Sequence, residues 1–262
     1  MPILAEHLVE TSRGTVSYSE SGSGPVHLVL HSLLTDRNAF DRVAGPLGGR
    51  FIAMDLPGFR ATEPALPDID DYAHRVAAFI EAKELNRPAL IGNGLGAFVA
   101  LGTAIHHGDL AGRVLLVGCG AAFPESAKDA FIKMIETVEA GGIEAVIPVA
   151  LRRIFTESYV EQHPDMAQER SEVLLKTDPD AFVTACRALH ALDYRSLAHR
   201  VANPTMIVVG EEDQATPPEL AEELHELIPG STLTRLPGLA HAPQIQDPAG
   251  FVSAARAFLE VR

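Results

Sequence analysis

Three stretches of this chain hold residue types suited to proton transfer at a carbonyl centre. In "LIGNGLGAFVA", residues 90–100, two apolar runs meet at Gly92, Gly94 and Gly96. Glycines at alternate positions suit a sharp strand-to-helix turn, because the two backbones then pass close together. Such a turn aims the side chain at its tip, and the N–H of the next residue, into one space. Here the tip is Gly94, which has no side chain. "VVGEEDQATPPE" places Asp213 just after a β-rich run, and "LPGLAHAPQIQDP" places His241 in a loop before the last helical stretch. A carboxylate beside an imidazole fixes its tautomer and leaves the other ring nitrogen free to act as a base. Because they follow the turn in the order acid then histidine, each after a β-rich run, Asp213 and His241 are expected to be hydrogen-bonded neighbours, with the free nitrogen facing Gly94. Upstream, "LVLHSLLTD" puts His31, Ser32 and Leu33 at the end of another β-rich run.

Each feature has a plainer reading. Gly-x-Gly before a helix can cradle a phosphate, but the third glycine of a dinucleotide fingerprint and the lysine of a P-loop are both missing. Asp213 alone could cap the helix that follows, although Thr216 before Pro217 fits that cap better. His31 reads as a residue that orders its own loop rather than a metal ligand. His106 and His107 read as surface or packing residues on a helix. Cys119, after a strand, reads as a buried thiol that faces the pocket, and no histidine near it in sequence would activate it. The Met and Phe residues of the later helices fit a pocket lining and ordinary helix packing equally well.

These residues need a sheet to position them. "VSYSE", "VHLVLHS", "RFIAMDL", "PALIGN", "GRVLLVG", "TMIVVG" and "STLTRLP" read as strands, most of them near-continuous apolar runs of the kind buried on both faces. "DIDDYAHRVAAFIEAKEL", "GAFVALGTAIHH", "PPELAEELHELIPG" and "DPAGFVSAARAFLE" read as the helices between them. The alternation predicts a mostly parallel sheet with helices on both sides. No helix separates the first two β-rich segments, so they are expected to pair antiparallel at an edge. From 122 to 197 no strand is evident; "SAKDAFIKMIETVEA", "GIEAVIPVALRRIF", "SYVEQHPDMAQERSEVLLK" and "DAFVTACRALHALD" read as helices. The expected organisation is a core of 1–121 plus 198–262 and a helical cap of 122–197, set over the sheet edge where open α/β sheets bind ligands.

Composition narrows the function. With 262 residues and 47% hydrophobic content the chain can bury a full core. The net charge of −14 argues against nucleic acid or an anionic membrane as partner. It does not exclude an acidic small molecule, since one local basic group can outweigh a global field. No apolar stretch approaches the ~20 residues of a membrane span. "MPILAEHLVE" lacks the basic flank and long apolar segment of a signal peptide, so a cytoplasmic location is expected. Cys119 and Cys186 suggest neither a disulfide framework nor a metal site. No cofactor is expected.

Turn, acid and histidine in that chain order, with the loop after "LVLHS" upstream, resemble the α/β-hydrolase fold with a helical cap. "HSLLTDRNAFDRV", "AMDLPGF" and "GLAHAPQIQDP" are most similar to 3-oxoadipate enol-lactonases and C–C-bond hydrolases. The resemblance covers nearly all of the chain. It implies that Gly94 stands at the nucleophile position usually held by serine, with Asn93 the variable residue before it. It also implies an oxyanion hole from the N–H groups of Leu33 and Leu95, and makes His31, Ser32, Asn93 and Cys119 candidates for the pocket. Two further departures are Ser32, where many relatives have glycine after the loop histidine, and Arg60, where glycine commonly follows "DLPGF".

Three readings of the missing nucleophile follow. The chain is a carboxylic ester or lactone hydrolase with its elbow serine replaced, nearly inactive by a covalent route but still able to bind substrate. Or His241, oriented by Asp213, activates water or a substrate proton, giving hydrolase, lyase, isomerase or cofactor-free oxygenase chemistry. Or it is a binding protein without turnover. The hydrolase-type site in one of its first two forms is expected. No other Ser or Cys has an evident place beside His241, and Gly94→Ser is expected to be tolerated.

Overall fold

The computed structural model describes residues 5–260. Residues 1–4 and 261–262, which the expected core segments and the N-terminal leader reading include, lie outside the described residues. The first half of the chain gives β1 (His7–Thr11), β2 (Gly14–Gly22), β3 (Val26–Leu30), α1 (Asp41–Leu47), β4 (Arg50–Met54), α2 (Ile69–Ala82), β5 (Ala89–Asn93), α3 (Leu95–His107) and β6 (Val114–Val117). Five helices follow: α4 (Glu125–Gly141), α5 (Ile147–Ile154), α6 (Glu157–Gln162), α7 (Pro164–Leu174) and α8 (Pro179–Ala191). The chain then returns through β7 (Thr205–Gly210), α9 (Pro218–Leu227), β8 (Thr232–Leu236), α10 (Pro243–Gln246) and α11 (Pro248–Leu259).

The strands form one eight-stranded sheet in the order β1-β2-β4-β3-β5-β6-β7-β8. The central strands are apolar at nearly every position and buried on both faces, as the continuous runs predict. From β4 onward every pairing is parallel. The antiparallel edge differs from expectation. β2 ("VSYSE") pairs with β1 on one side and with β4 on the other, whereas β3 ("VHLVLHS") lies inside the parallel block. β1 carries no strand signal in the sequence because it lies at the rim, with only partial burial at alternate positions. Since β3 sits between β4 and β5, the strand order reverses there, and a crevice opens at the strands' C-terminal ends.

Between β6 and β7 the described residues hold α4 to α8 and no strand. The stretch read as one helix over "SYVEQHPDMAQERSEVLLK" is two, α6 and α7. His163 leaves helical geometry (φ −129°, ψ 61°) ahead of Pro164, which begins α7. The stretch enters and leaves at one point. Ala122 bridges Asp193, and Tyr194 N–H donates to Ala121 O at 2.8 Å. Phe131 and Met134 of α4 and Leu189 of α8 are buried and turned toward the crevice. Ala242 N–H donates to Ile154 O at 3.2 Å, which ties the loop of His241 to the end of α5.

Candidate active site

Gly94 lies between β5 and α3 at φ 54°, ψ −120°, a region that residues with a Cβ rarely adopt. Its N–H is used, donating to Val117 O at 2.9 Å. A Cβ built here would overlap Ser32 Oγ and would lie 2.5 Å from His241 Nε2. The tip of the elbow is therefore already filled from two sides.

His241 follows β8, and Asp213 follows β7. Asp213 Oδ2 accepts from His241 Nδ1 at 2.8 Å and from Thr216 Oγ1 at 2.7 Å. Its other oxygen accepts from the N–H groups of Ala215 and Thr216 at 2.8 and 2.9 Å. With both carboxylate oxygens engaged, Nδ1 carries the ring proton and Nε2 keeps its lone pair. That nitrogen faces the Gly94 space. Thr216 Oγ1 is also 3.1 Å from Nδ1. Thr216 was expected to cap α9; its side chain instead braces the Asp–His pair, and Pro217 takes the cap position without a side-chain bond.

Ser32 lies after β3 and is 2% exposed. Its N–H donates to Thr35 Oγ1 at 3.1 Å, and its carbonyl accepts from Thr35 N–H at 3.2 Å and from His31 Nδ1 at 2.9 Å. Its hydroxyl is 3.4 Å from His241 Nε2. This overturns the expectation that no other Ser has a place beside His241, and it makes Gly94→Ser a crowded substitution. The reason is tertiary: residues far apart in sequence meet only because β3 and β5 are neighbours in the sheet.

The N–H groups of Leu33 and Leu95 are taken by no hydrogen bond among the described residues, and both residues line the same small cavity. Gly96 N–H, one residue further on, is spent on His31 O at 3.0 Å. The cavity also touches Ser32, Phe98, Phe123, Met134, Arg153, Thr216 and His241, and its free space is about 40 Å³. That volume admits water but no substrate unless side chains of α4, α5 and α8 move. Met134 and Arg153 also line a cleft on the outer face, together with Lys133, Glu136 and Val149. These two side chains line both spaces.

The profile of the alpha/beta hydrolase family matches residues 22–255. The chain belongs to this family. Among its relatives are 3-oxoadipate enol-lactonase 2 of Acinetobacter baylyi, 23% identical over 73% of this chain and 71% of that protein. A pimeloyl-[acyl-carrier protein] methyl ester esterase of Neisseria meningitidis is 29% identical over 88% of this chain and 76% of that one. The crystal structure of the enol-lactonase from Burkholderia xenovorans superposes with a TM-score of 0.91 at 22% identity, covering 97% of this chain and 100% of that one. As an alpha/beta hydrolase, the chain has the expected fold class: a mostly parallel sheet with a helical segment inserted between strands.

Three residues expected at the pocket of this alpha/beta hydrolase are absent from the cavity lining. His31 is buried beneath its loop, where Nδ1 donates to Ser32 O and Nε2 accepts from Leu56 N–H at 3.1 Å. Desolvation pushes its pKa down to about 4, so it stays neutral and holds the loop. Asn93 points away from the elbow and donates to His241 O at 2.8 Å, while Gln244 donates to its Oδ1 at 3.0 Å. It anchors the histidine loop. Cys119 is fully buried with its thiol on Gly120 O, and burial raises its pKa strongly. Arg60 adopts φ 50°, a left-handed conformation that favours glycine. Its ion pairs with Asp36 at 2.9 Å and Asp55 at 3.5 Å hold it in place.

The sequence reading also passed over Arg153. It is half-buried, lines the cavity and has no ion pair or hydrogen bond among the described residues. Desolvation lowers its pKa, and the nearby charge of Asp213 opposes that shift. The available signal was a basic residue in the otherwise apolar stretch "IPVALRRIF".

Proposed function

We propose that this chain hydrolyses a small carboxylic ester or lactone that carries an acidic group, held beneath a cap of residues 122–197. The observation that carries this reading is His241 Nε2. It faces the elbow with its lone pair free, and Asp213 binds the opposite nitrogen. In this reading His241 removes a proton from an oxygen nucleophile as that oxygen attacks the substrate carbonyl. The free N–H groups of Leu33 and Leu95 receive the charge that develops on the carbonyl oxygen. Arg153, with no ion-pair partner among the described residues, draws the acidic group in from the outer cleft. The esterase and enol-lactonase names among the relatives agree with this substrate class.

The test is turnover of a panel of carboxylic esters, enol-lactones and 1,5-diketones, each with and without a free carboxylate. The expected result is hydrolysis of an acidic ester or lactone, abolished by His241→Ala while affinity for the intact compound persists. Binding of the panel with no turnover would make the chain a receptor. Isomerisation or elimination instead of hydrolysis would assign His241 to a substrate proton.

A further inference from the structure

We propose that Ser32 supplies the nucleophile that Gly94 cannot. The proposal rests on the hydrolase reading above and assigns its attacking oxygen. Four observations meet at one point. The Ser32 hydroxyl is 3.4 Å from His241 Nε2, the ring nitrogen left free by Asp213. The same hydroxyl occupies space that a side chain at position 94 would need, so the oxygen is present but delivered from the opposite loop. Three hydrogen bonds, from Thr35 N–H and His31 Nδ1 to the Ser32 carbonyl and from Ser32 N–H to Thr35 Oγ1, fix the backbone that carries it. The N–H groups of Leu33, next in sequence, and of Leu95, across the elbow, make no hydrogen bond among the described residues, and both residues line the cavity. A nucleophile followed directly by an amide that can stabilise its oxyanion is the arrangement an elbow serine has. Here the β3 loop provides it.

The separation of 3.4 Å is long for an O–H···N bond, and such contacts tighten when substrate fills the site. In the acylation step His241 Nε2 takes the Ser32 hydroxyl proton as Oγ bonds to the carbonyl carbon. The carbonyl electron pair moves onto its oxygen, which the two amides hold. Collapse breaks the bond to the leaving alcohol or enol oxygen, which takes the proton back from His241. Deacylation repeats this with water: His241 removes its proton, hydroxide oxygen bonds to the acyl carbon, and Ser32 Oγ leaves and recovers its proton. Asp213 remains ionised throughout and holds the imidazolium formed in each step.

The experiment uses a fluorophosphonate and an activated ester, p-nitrophenyl butyrate, with the full chain. Wild type, Ser32→Ala, His241→Ala and the double exchange Ser32→Gly with Gly94→Ser are compared. The expected result is one phosphonate per chain on the peptide containing Ser32, absent from Ser32→Ala and His241→Ala. Ester turnover should fall by about 10²-fold or more in Ser32→Ala. In the double exchange the label should move to position 94. No adduct in wild type, an adduct on another residue, or full turnover by Ser32→Ala would overturn the proposal. Full turnover by Ser32→Ala with none by His241→Ala would assign attack to water and leave the hydrolase reading standing. Labelling of Ser32 without hydrolysis of any panel ester or lactone would sink the substrate reading while the nucleophile assignment holds.

Discussion

At the residue scale, the Asp213 carboxylate does two jobs that one substitution can separate. It accepts two backbone N–H groups on one oxygen, and His241 and Thr216 on the other. Asp213→Asn should keep the local turn yet favour the wrong imidazole tautomer. Turnover should fall on the order of 10⁴-fold, read as kcat, with the melting temperature changed far less. His31 makes the pH prediction. Its folded pKa of about 4 lies below the ordinary 6.5, so the unfolded chain binds the proton first as pH falls. The stability contributed by neutral His31 is complete above pH 6.5 and is lost as pH falls toward 4, on the order of 3 kcal/mol in all. His31→Gln removes that titration. Thermal melts across pH 4–7 should show a shallower acid decline for the variant, and equal slopes would sink the assignment. Half-buried Asp41 and buried Asp55, whose pKa values desolvation raises to about 6, tilt both proteins the opposite way and leave the difference between them unchanged.

At the scale of elements, the start of α3 presses on the end of β3. A Cβ on Gly96 would collide with the carbonyl of Leu30 and lie 2.7 Å from His31 O, the acceptor of the Gly96 N–H. Both neighbours are backbone and cannot rotate away. Gly96→Ala should therefore shift the helix, cost about 1–3 kcal/mol in denaturant unfolding, and lower turnover through the misplaced Leu95 amide. A stability equal to wild type would mean that helix and strand do not touch this closely. Gly94→Ala tests the elbow in the same way. Its backbone conformation costs about 1–3 kcal/mol for a residue with a Cβ, and the new methyl group meets Ser32 and His241. That is why exchanging serine and glycine between positions 32 and 94 should be milder than adding a serine at 94 alone.

For the whole molecule, a net charge of −14 repels the acidic substrate that Arg153 is proposed to attract. The two effects have different ranges and can be separated. Arg153→Gln should raise KM for an acidic ester about tenfold or more and leave KM for its neutral methyl ester little changed. In that variant only the repulsive field remains, so kcat/KM for the acidic ester should rise with added salt. A KM shift of equal size for both esters would assign Arg153 to the packing of α5 instead. No helix among the described residues is long and apolar enough to cross a membrane.

The sequence by itself determined the sheet-and-helix alternation, the helical stretch between β6 and β7, and the order of elbow, acid and histidine. Each of these is written in local chemistry: apolar runs, helical spacing, and glycines that only a tight turn requires. It also placed Asp213 and His241 together, because both fall at strand ends that the fold gathers on one edge. Tertiary structure alone decided which residues share the final few ångströms. Ser32 reaches His241 because β3 lies beside β5, Thr216 turns back onto Asp213 instead of capping α9, and Arg153 reaches the cavity from α5. Asn93 turns behind the histidine loop, away from the cavity. No spacing rule encodes such contacts, since they depend on sheet order and on which way each side chain leaves its loop. The sequence marked Gly94 as an absence, and only the packing of the two loops revealed a hydroxyl beside it.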